Sequence, residues 1–309
     1  MHKSQPTNLT ELTKAEIAVW LNSFDTVLTD CDGVLWHEGV AIDGVPEAIA
    51  LLKSLGKEVY FVTNNGIKTS GEIWQTATTI GYDIDESRIL APIKAIAEYL
   101  QARNFRKKVY IVGSEAISNG LAAVGIESFG PGPEILQGKL NDYLAQQVAT
   151  QDTDDVGAVV VGFDEHFTFA KMLKASNYIC SNSECLFMTT NLDTVHRYPA
   201  FRIPGTGALL AGLETCVERK ALQFGKPNPE ICRALIRSEK IVPQRTLMIG
   251  DVCEIDMLFG HKCGFQTLLV GSGPSSDYEF NVVLKNPNVN EEYIPDFVVP
   301  SLGHITKLI

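Results

Sequence analysis

The chain of 309 residues has little of what several large classes of protein depend on. Basic residues are in deficit, because 26 Lys and Arg face 37 Asp and Glu and leave a formal net charge of −11. Nucleic-acid binding normally needs a concentrated basic surface, so we expect no nucleic-acid partner. No apolar run approaches the roughly 20 residues that a membrane helix requires, so we expect no membrane partner either.

The seven cysteines contain no CxxC pair, and their odd number does not suit a framework of disulfides. The first 21 residues also lack the long apolar segment that a signal peptide carries. We therefore expect reduced thiols and a cytoplasmic protein.

Eight short apolar runs alternate with amphipathic segments that have the period of a helix. The runs are FDTVLT, EVYFVT, VYIVG, AVVVGF, CLFMTT, TLMIG, QTLLVG and DFVVP. This alternation indicates an α/β fold with a mainly parallel sheet, as in Rossmann-like cores. In such folds ligands bind beyond the carboxyl ends of the strands.

Reactive polar residues follow three of these runs, and a fourth group lies in a separate loop. They are Asp30 and Asp32 after the first run, Thr63, Asn64 and Asn65 after the second, Asp251 with Glu254 and Asp256 after TLMIG, and Lys226 in the loop FGKPNPE. Because the carboxyl ends of parallel strands share one edge of the sheet, we expect these four groups to meet there.

A long insertion separates the second group from Lys226. Residues 92–203 contain strands and helices of their own, so we predict an inserted α/β cap domain there, with residues 1–91 and 204–309 forming the core. We predict that the polar stretch near residues 272–295 is a surface excursion.

The four groups contain what hydrolysis of a phosphate monoester needs. Asp30 and Asp251 supply hard oxygen ligands for Mg²⁺, and a metal ion lets carboxylates approach a phosphate that would otherwise repel them. Asp32 can turn toward the leaving oxygen, protonate it and later activate water. Thr63 and Lys226 can bind the phosphoryl oxygens.

Four motifs carry a resemblance to a known family. In order, DCDGVLW, TNNGIKTS, FGKPNPE and GDVCEID resemble the signature motifs of the haloacid dehalogenase-like phosphatases, in the branch with a large α/β cap between motifs two and three. Within that branch the chain is similar to the phosphoglycolate, pyridoxal-phosphate and 4-nitrophenyl-phosphate phosphatases, a similarity that VVVGFDEHFTFAKMLKA strengthens. The likeness runs from about residue 20 to the C-terminus.

The resemblance implies a role for each residue of the four groups. It implies that Asp30 is the phosphorylated nucleophile and Asp32 the acid and base, with Asp256 as a supporting acid. It implies Mg²⁺ held by Asp30, the backbone carbonyl of Asp32 and Asp251. The predicted substrate-binding residues are Thr63, Asn64, Asn65, Lys226 and His196.

Substrate choice is predicted to lie in the cap segment TTNLDTVHRYP, residues 189–199. His196 either contacts the leaving group or is a solvent-exposed loop histidine, and Arg197 offers a clamp for a substrate carboxylate. A homodimer through the cap is expected from the resemblance and from the run GAVVVGF, which we place near a sheet edge.

The chain departs from the family pattern in two places. Val252, Cys253 and Ile255 stand where relatives often read GDRLxTD, and Gly66 stands where relatives usually have serine. Our first interpretation is a Mg²⁺-dependent phosphatase of a small phosphorylated metabolite. The alternatives are a phosphoprotein phosphatase and a catalytically weakened binding protein of the same fold.

Overall fold

The computed structural model describes residues 5–136, 138–150, 153–197 and 202–309, and for residues 147–150 and 196–197 it describes the backbone alone. The strands within these ranges are β1 Thr7–Asn8, β2 Thr26–Thr29, β3 Trp36–His37, β4 Val40–Ala41, β5 Glu58–Val62, β6 Ile89–Leu90, β7 Lys108–Val112, β8 Ser128–Phe129, β9 Val156–Val161, β10 Leu186–Thr189, β11 Val195–Arg197, β12 Arg202–Pro204, β13 Leu222–Gln223, β14 Thr246–Gly250, β15 Gln266–Val270 and β16 Phe297–Val299.

The helices in the same ranges are α1 Lys14–Asn22, α2 Val45–Ser54, α3 Ser70–Thr79, α4 Pro92–Gln101, α5 Glu115–Ala122, α6 Leu140–Thr150, α7 Phe169–Ser181, α8 Thr206–Val217, α9 Arg233–Arg237, α10 Leu258–Cys263, α11 Ser276–Tyr278 and α12 Ile305–Leu308. A π-helical segment, Cys253–Met257, precedes α10. None of these helices has the length and apolarity that crossing a membrane requires.

The chain divides into two compact units. The first unit contains the described residues up to Thr63 together with Ser70–Leu90 and Lys226–Ile309, and the second contains Asn64–Thr69 and the described part of Ala91–Gly225. The sequence placed the end of the insertion at residue 203. The second unit continues to Gly225 because β13 pairs with β10 of its sheet and α8 packs on α7.

The first unit is built on a parallel sheet whose strand order, over the described residues, is β1-β16-β15-β14-β2-β5-β6. The central strand β2 is buried along its whole length and pairs with β14 on one side and β5 on the other. After β2 the chain adds β5 and β6 on one side of it, and later adds β14, β15 and β16 on the other side, whose outer edge is the N-terminal β1. Such a reversal of strand order opens a crevice for a ligand at the carboxyl ends of the two neighbouring strands.

The second unit has its own parallel sheet, with the order β13-β10-β9-β7-β8 among the described residues. All six residues of β9 are buried, and β9 lies in the middle of the sheet, between β10 and β7. The prediction that GAVVVGF lies near a sheet edge is therefore wrong. A continuous apolar run is typical of a strand that is covered on both faces, which is the environment of an interior strand.

A buried ion pair explains part of the cap motif VVVGFDEHFTFAKMLKA. Lys171 Nζ on α7 lies 2.6 Å from Asp164 Oδ2, and the two side chains are 0% and 2% exposed. The other oxygen of Asp164 accepts a hydrogen bond from the backbone N–H of His166 at 2.9 Å. Losing either partner would leave an uncompensated buried charge, so the pair fixes α7 to the loop after β9.

Candidate active site

Two carboxylates lie at the carboxyl ends of neighbouring strands. Asp30 follows β2 and Asp251 follows β14, and the backbone N–H of Asp30 donates to the carbonyl of Ile249 at 2.8 Å. Asp30 is 9% exposed and Asp251 is 3% exposed. The parallel pairing of the two strands therefore brings two acidic side chains to the same sheltered edge.

Lys226 lies between two of the acidic side chains. Its Nζ donates to Asp30 Oδ1 at 2.6 Å and to Asp256 Oδ1 at 2.7 Å, while the lysine itself is 2% exposed. Burial lowers the pKa of Lys226, but the charges of Asp256 and Asp30 raise it by more, so the net shift is upward. The ammonium therefore stays charged at any physiological pH.

Asp256 holds the backbone that carries Asp251. Its Oδ2 accepts hydrogen bonds from the backbone N–H groups of Asp251 and Val252, both at 3.1 Å. Gly250 leaves room for this arrangement, since a Cβ there would lie 2.1 Å from Asp256 Cβ. With three donors on its two oxygens, Asp256 is an anchor for the loop, which fits the supporting role that the resemblance implies.

Asp30, Asp251 and Asp256 each offer one carboxylate oxygen to a group in which these three atoms lie within 4.8 Å of one another. Burial raises the pKa of Asp30 to about 7, and the charge of Lys226 opposes this shift. Burial also raises the pKa of Asp251, as do the charges of Asp30 and Asp256. Three carboxylates against one ammonium leave an excess of negative charge in a sheltered place, and the oxygen ligands fit a divalent cation such as Mg²⁺.

Two glycines enclose the carboxylate of Asp251. A Cβ on Gly33, whose φ is +90°, would lie 2.6 Å from Asp251 Oδ2, and one on Gly273 would lie 1.9 Å from the same atom. Ser272 Oγ joins the two loops by donating to the carbonyl of Gly33 at 2.8 Å. The prediction that the stretch beginning at residue 272 is a surface excursion is therefore wrong for its first residues.

Glu279 is a further carboxylate that the sequence analysis missed. It is 3% exposed, and its Oε2 accepts a hydrogen bond from the backbone N–H of Cys253 at 3.0 Å. Burial raises the pKa of Glu279, and the hydrogen bond from Cys253 opposes that shift. Glu279 lies in the polar segment after QTLLVG, which has no regular periodicity, so no sequence signal marked it.

Asp32 and Thr63 lie near the same edge with different exposure. Asp32 is exposed, and its Oδ1 accepts a hydrogen bond from Trp36 Nε1 at 3.0 Å. Thr63 is 3% exposed and follows β5, whose register pairs Phe61 with Thr29 of β2. The geometry therefore brings Thr63 to the edge that carries Asp30, and the roles of Asp32 and Thr63 stay predictions.

Asn64 and Asn65 belong to the second unit. The carbonyl of Asn64 accepts a hydrogen bond from Asn191 Nδ2 at 2.9 Å. Asn65 Oδ1 accepts from the backbone N–H groups of Ile67 at 3.1 Å and Lys68 at 3.0 Å, which closes a turn. These contacts fix the segment, and a contact of either asparagine with substrate stays a prediction.

Gly66 has a structural reason for departing from the family pattern. A Cβ at this position would lie 2.9 Å from Oγ1 and 3.2 Å from Cβ of Thr190. Thr190 is fully buried, so its side chain has little room to give way. A serine at position 66 therefore conflicts with the threonine that this chain has at position 190.

The predicted specificity segment is partly a hairpin. β11 pairs with β12 in antiparallel fashion, with His196 opposite Ile203 and Arg197 opposite Arg202. The side chains of His196 and Arg197 lie outside the described residues, as do residues 198–199. Their contacts with a leaving group stay predictions.

The parallel sheet, the acidic side chains at its reversal point and the buried lysine among them define an α/β enzyme with a candidate site for a divalent cation. The chain belongs to the haloacid dehalogenase-like hydrolases. Residues 27–127 match the family described as haloacid dehalogenase-like hydrolase, and residues 223–305 match one described as HAD-hydrolase-like.

Known relatives agree with this family over most of the chain. A glycerol-3-phosphate phosphatase of Gallus gallus is 36% identical over 291 residues, which cover 92% of each chain. The chloroplastic phosphoglycolate phosphatase 1A of Arabidopsis thaliana is 38% identical over 259 residues, 83% of this chain and 71% of that one.

A solved structure agrees with the fold. The p-nitrophenyl phosphatase from Archaeoglobus fulgidus superposes with a TM-score of 0.78 at 23% identity, covering 93% of this chain and 100% of that one. The predicted family and fold class are confirmed, and the chain is a phosphoric monoester hydrolase.

The glycine packing around Asp251 generates a prediction about the cation. We expect Gly273→Ala to raise the Mg²⁺ concentration for half-maximal activity about tenfold, because the added methyl group must displace the Asp251 carboxylate. Titration of 4-nitrophenyl phosphate hydrolysis with Mg²⁺ measures this. The matched control is Gly212→Ala, where a Cβ meets its nearest neighbour, Met172 Cε, at an ordinary 3.7 Å. An unchanged Mg²⁺ requirement in Gly273→Ala contradicts the idea.

Proposed function

We propose that the chain hydrolyses small phosphate monoesters with the help of Mg²⁺, through a phosphoaspartate on Asp30. The arrangement of Lys226 between Asp30 and Asp256 carries this proposal. It places a permanently charged ammonium beside the proposed nucleophile, at the reversal point of the sheet, where it would also attract the phosphoryl oxygens.

The proposed reaction has two displacements at phosphorus. In the first, an Asp30 oxygen forms a bond to phosphorus while the bond to the leaving oxygen breaks, and the leaving oxygen keeps the electron pair and takes a proton from Asp32. In the second, Asp32 removes a proton from water as the water oxygen bonds to phosphorus. The bond from phosphorus to Asp30 then breaks, its electron pair returns to the carboxylate, and inorganic phosphate is released.

Asp30, Asp251 and the backbone carbonyl of Asp32 are the residues that would hold Mg²⁺. When bound, the cation supplies positive charge that lets carboxylates and a phosphate group come together. Lys226 and Thr63 bind the phosphoryl oxygens in this scheme. Asp256 is not assigned as a ligand in this scheme, since its oxygens already accept hydrogen bonds from Lys226 and from two backbone N–H groups.

The names of the relatives support a small alkyl phosphate as substrate. The two sequence relatives are named for glycerol 3-phosphate and phosphoglycolate, both short esters with polar groups beside the phosphate. We propose a substrate of this size, with pyridoxal phosphate and 4-nitrophenyl phosphate as further candidates from the family resemblance. In this scheme Arg197 would bind a substrate carboxylate and His196 the leaving group.

The altered motif GDVCEID does not remove any acidic group of the site. Cys253 is fully buried and packs in an apolar cluster with Met257, Leu269 and Val283. Asp251 and Asp256 lie at the site beside it. This favours an active phosphatase over the alternative of a catalytically weakened binding protein. The cap-mediated homodimer and the cytoplasmic location remain predictions, and the dimer rests on the family resemblance alone.

Substitution of the two N-terminal aspartates tests the mechanism. We expect Asp30→Asn to lose at least about 10³-fold in turnover, because an amide is a poor nucleophile. Asp32→Asn should lose about 10² to 10⁴-fold and still bind Mg²⁺, since its side chain is not a proposed ligand. Hydrolysis of 4-nitrophenyl phosphate and calorimetric Mg²⁺ titration measure the two effects, with the exposed Asp83→Asn as control. Near-normal turnover of Asp30→Asn would exclude the mechanism.

Removal of the cation tests the proposed cofactor. We expect excess EDTA to abolish hydrolysis of 4-nitrophenyl phosphate and Mg²⁺ to restore it, while Ca²⁺ restores it poorly. The reason is that Mg²⁺ imposes a tighter octahedral geometry than Ca²⁺ on its oxygen ligands. A rise in the midpoint of thermal unfolding on adding Mg²⁺ provides a second readout that does not depend on turnover. Full activity in EDTA would end the proposal of a metal-dependent reaction.

Replacement of the cap histidine tests the source of specificity. We expect His196→Ala to lower kcat/KM for glycerol 3-phosphate or phosphoglycolate at least about tenfold, and that for 4-nitrophenyl phosphate much less, since an activated leaving group needs little help from the cap. His166→Ala, at a partly exposed position elsewhere in the second unit, is the control. If both kinds of substrate respond equally, the segment is not the specificity element.

A further inference from the structure

The predicted acid and base, Asp32, is held by a side chain to which nothing above assigns a role. Asp32 is exposed, yet the residues on either side of it, Cys31 and Gly33, are buried. Its Oδ1 accepts a hydrogen bond from Trp36 Nε1 at 3.0 Å. The contact belongs to one short segment of the first unit, in which the backbone N–H of Gly33 also donates to the carbonyl of Trp36 at 2.8 Å.

Trp36 is a rigid donor. The residue is 4% exposed, and its ring packs against Phe61 and Tyr82, with ring centroids 6.2 Å and 6.1 Å away. Tyr82 is itself fixed, because its hydroxyl donates to the carbonyl of Leu35 at 2.8 Å. A buried indole that is clamped in this way offers its N–H in one direction only, so the carboxylate that accepts from it is oriented as well.

The other two tryptophans lack this relation to an acidic side chain. Trp74 Nε1 donates to the carbonyl of Ile84 at 2.8 Å. Within the described residues, the indole N–H of Trp20 has no hydrogen-bond partner. A carboxylate partner is thus not a general consequence of burying an indole in this chain.

We propose that Trp36 is a positioning residue for Asp32. By occupying Oδ1, the indole leaves Oδ2 to carry the proton and presents it in a fixed direction. This inference rests on the proposed function, in which Asp32 gives that proton to the leaving oxygen as its bond to phosphorus breaks and the electron pair stays on the oxygen. A misplaced acid slows this step most when the leaving group is a poor one.

The test compares two substrates of similar shape and different leaving ability. Phenyl phosphate needs protonation of its leaving oxygen more than 4-nitrophenyl phosphate does, because phenolate is the less stabilised anion. We expect Trp36→Phe to lower kcat/KM for phenyl phosphate about tenfold and that for 4-nitrophenyl phosphate less than about threefold. The parameter kcat/KM reports the first displacement and is free of the later hydrolysis of the phosphoaspartate.

A matched control and a double variant separate positioning from loss of packing. Trp74→Phe removes an indole N–H that serves a backbone carbonyl, and it should leave the ratio of the two kcat/KM values unchanged. In an Asp32→Asn background, Trp36→Phe should change the kcat/KM for phenyl phosphate less than about twofold, because the group that it positions is already disabled. Equal losses on both substrates, or full additivity with Asp32→Asn, would overturn the proposal.

A second variant covers the case in which Trp36→Phe does not fold. Replacing the indole of Trp36 by benzothiophene, through the corresponding amino-acid analogue, exchanges the N–H for sulfur and keeps the shape of the ring pair. The same selective loss on phenyl phosphate is expected, and wild-type kinetics would refute the inference. If Asp32→Asn itself is fully active on phenyl phosphate, the proposed function fails. If only the Trp36 variants are fully active, the positioning role alone fails.

Discussion

The ion pairs of Lys226 are the interaction on which the rest of the site depends. One ammonium bridges Asp30 and Asp256, which come from opposite ends of the chain, and the lysine is almost fully buried. Breaking a buried pair by removing one partner typically costs about 3–5 kcal/mol, because the remaining charge has no compensation. Asp256 in turn fixes the backbone of Asp251, so the positions of all three carboxylates depend on the ammonium group of Lys226.

The acidic loop is held together mainly by backbone groups and by the absence of side chains. Successive N–H groups of Asp251, Val252 and Cys253 all donate to carboxylates, the first two to Asp256 and the third to Glu279. Three glycines allow carboxylates to approach where any other residue would collide. This construction concentrates negative charge without occupying the space in which a cation and a phosphate group would have to fit.

Most of the sheet could be predicted from the sequence, because long apolar runs are a strong signal. All eight of the runs form strands, among them TVLT of β2 and TLMIG of β14. The two-residue strands β1, β3, β4, β6, β8 and β13 were missed, since two residues carry no periodicity. Strand position was misjudged for β9, because burial of a run shows that it is covered and does not show where it lies in the sheet.

The part of the site that consists of charged side chains could be predicted from the sequence. Asp30, Lys226 and Asp251 were placed together because each follows a strand or a loop signal and each has a reactive group. Ser272 and Gly273 were missed because they begin the polar stretch that was predicted to be a surface excursion. A glycine contributes only the space that it leaves, and this space matters only once the position of Asp251 is known. Glu279 was missed because it lies 26 residues from its partner Cys253, in a segment without regular periodicity.

The close approach of Gly66 and Thr190 makes the two positions epistatic. A side chain at position 66 needs a smaller residue at position 190, or a threonine there in another rotamer. A bulkier residue at position 190 would make the steric conflict with such a side chain worse. We therefore expect a substitution at position 66 to be better tolerated when position 190 carries a smaller residue than threonine. Two positions 124 residues apart in the chain are thus coupled through one contact, and the glycine that stands where relatives usually have serine fits its neighbour in the second unit.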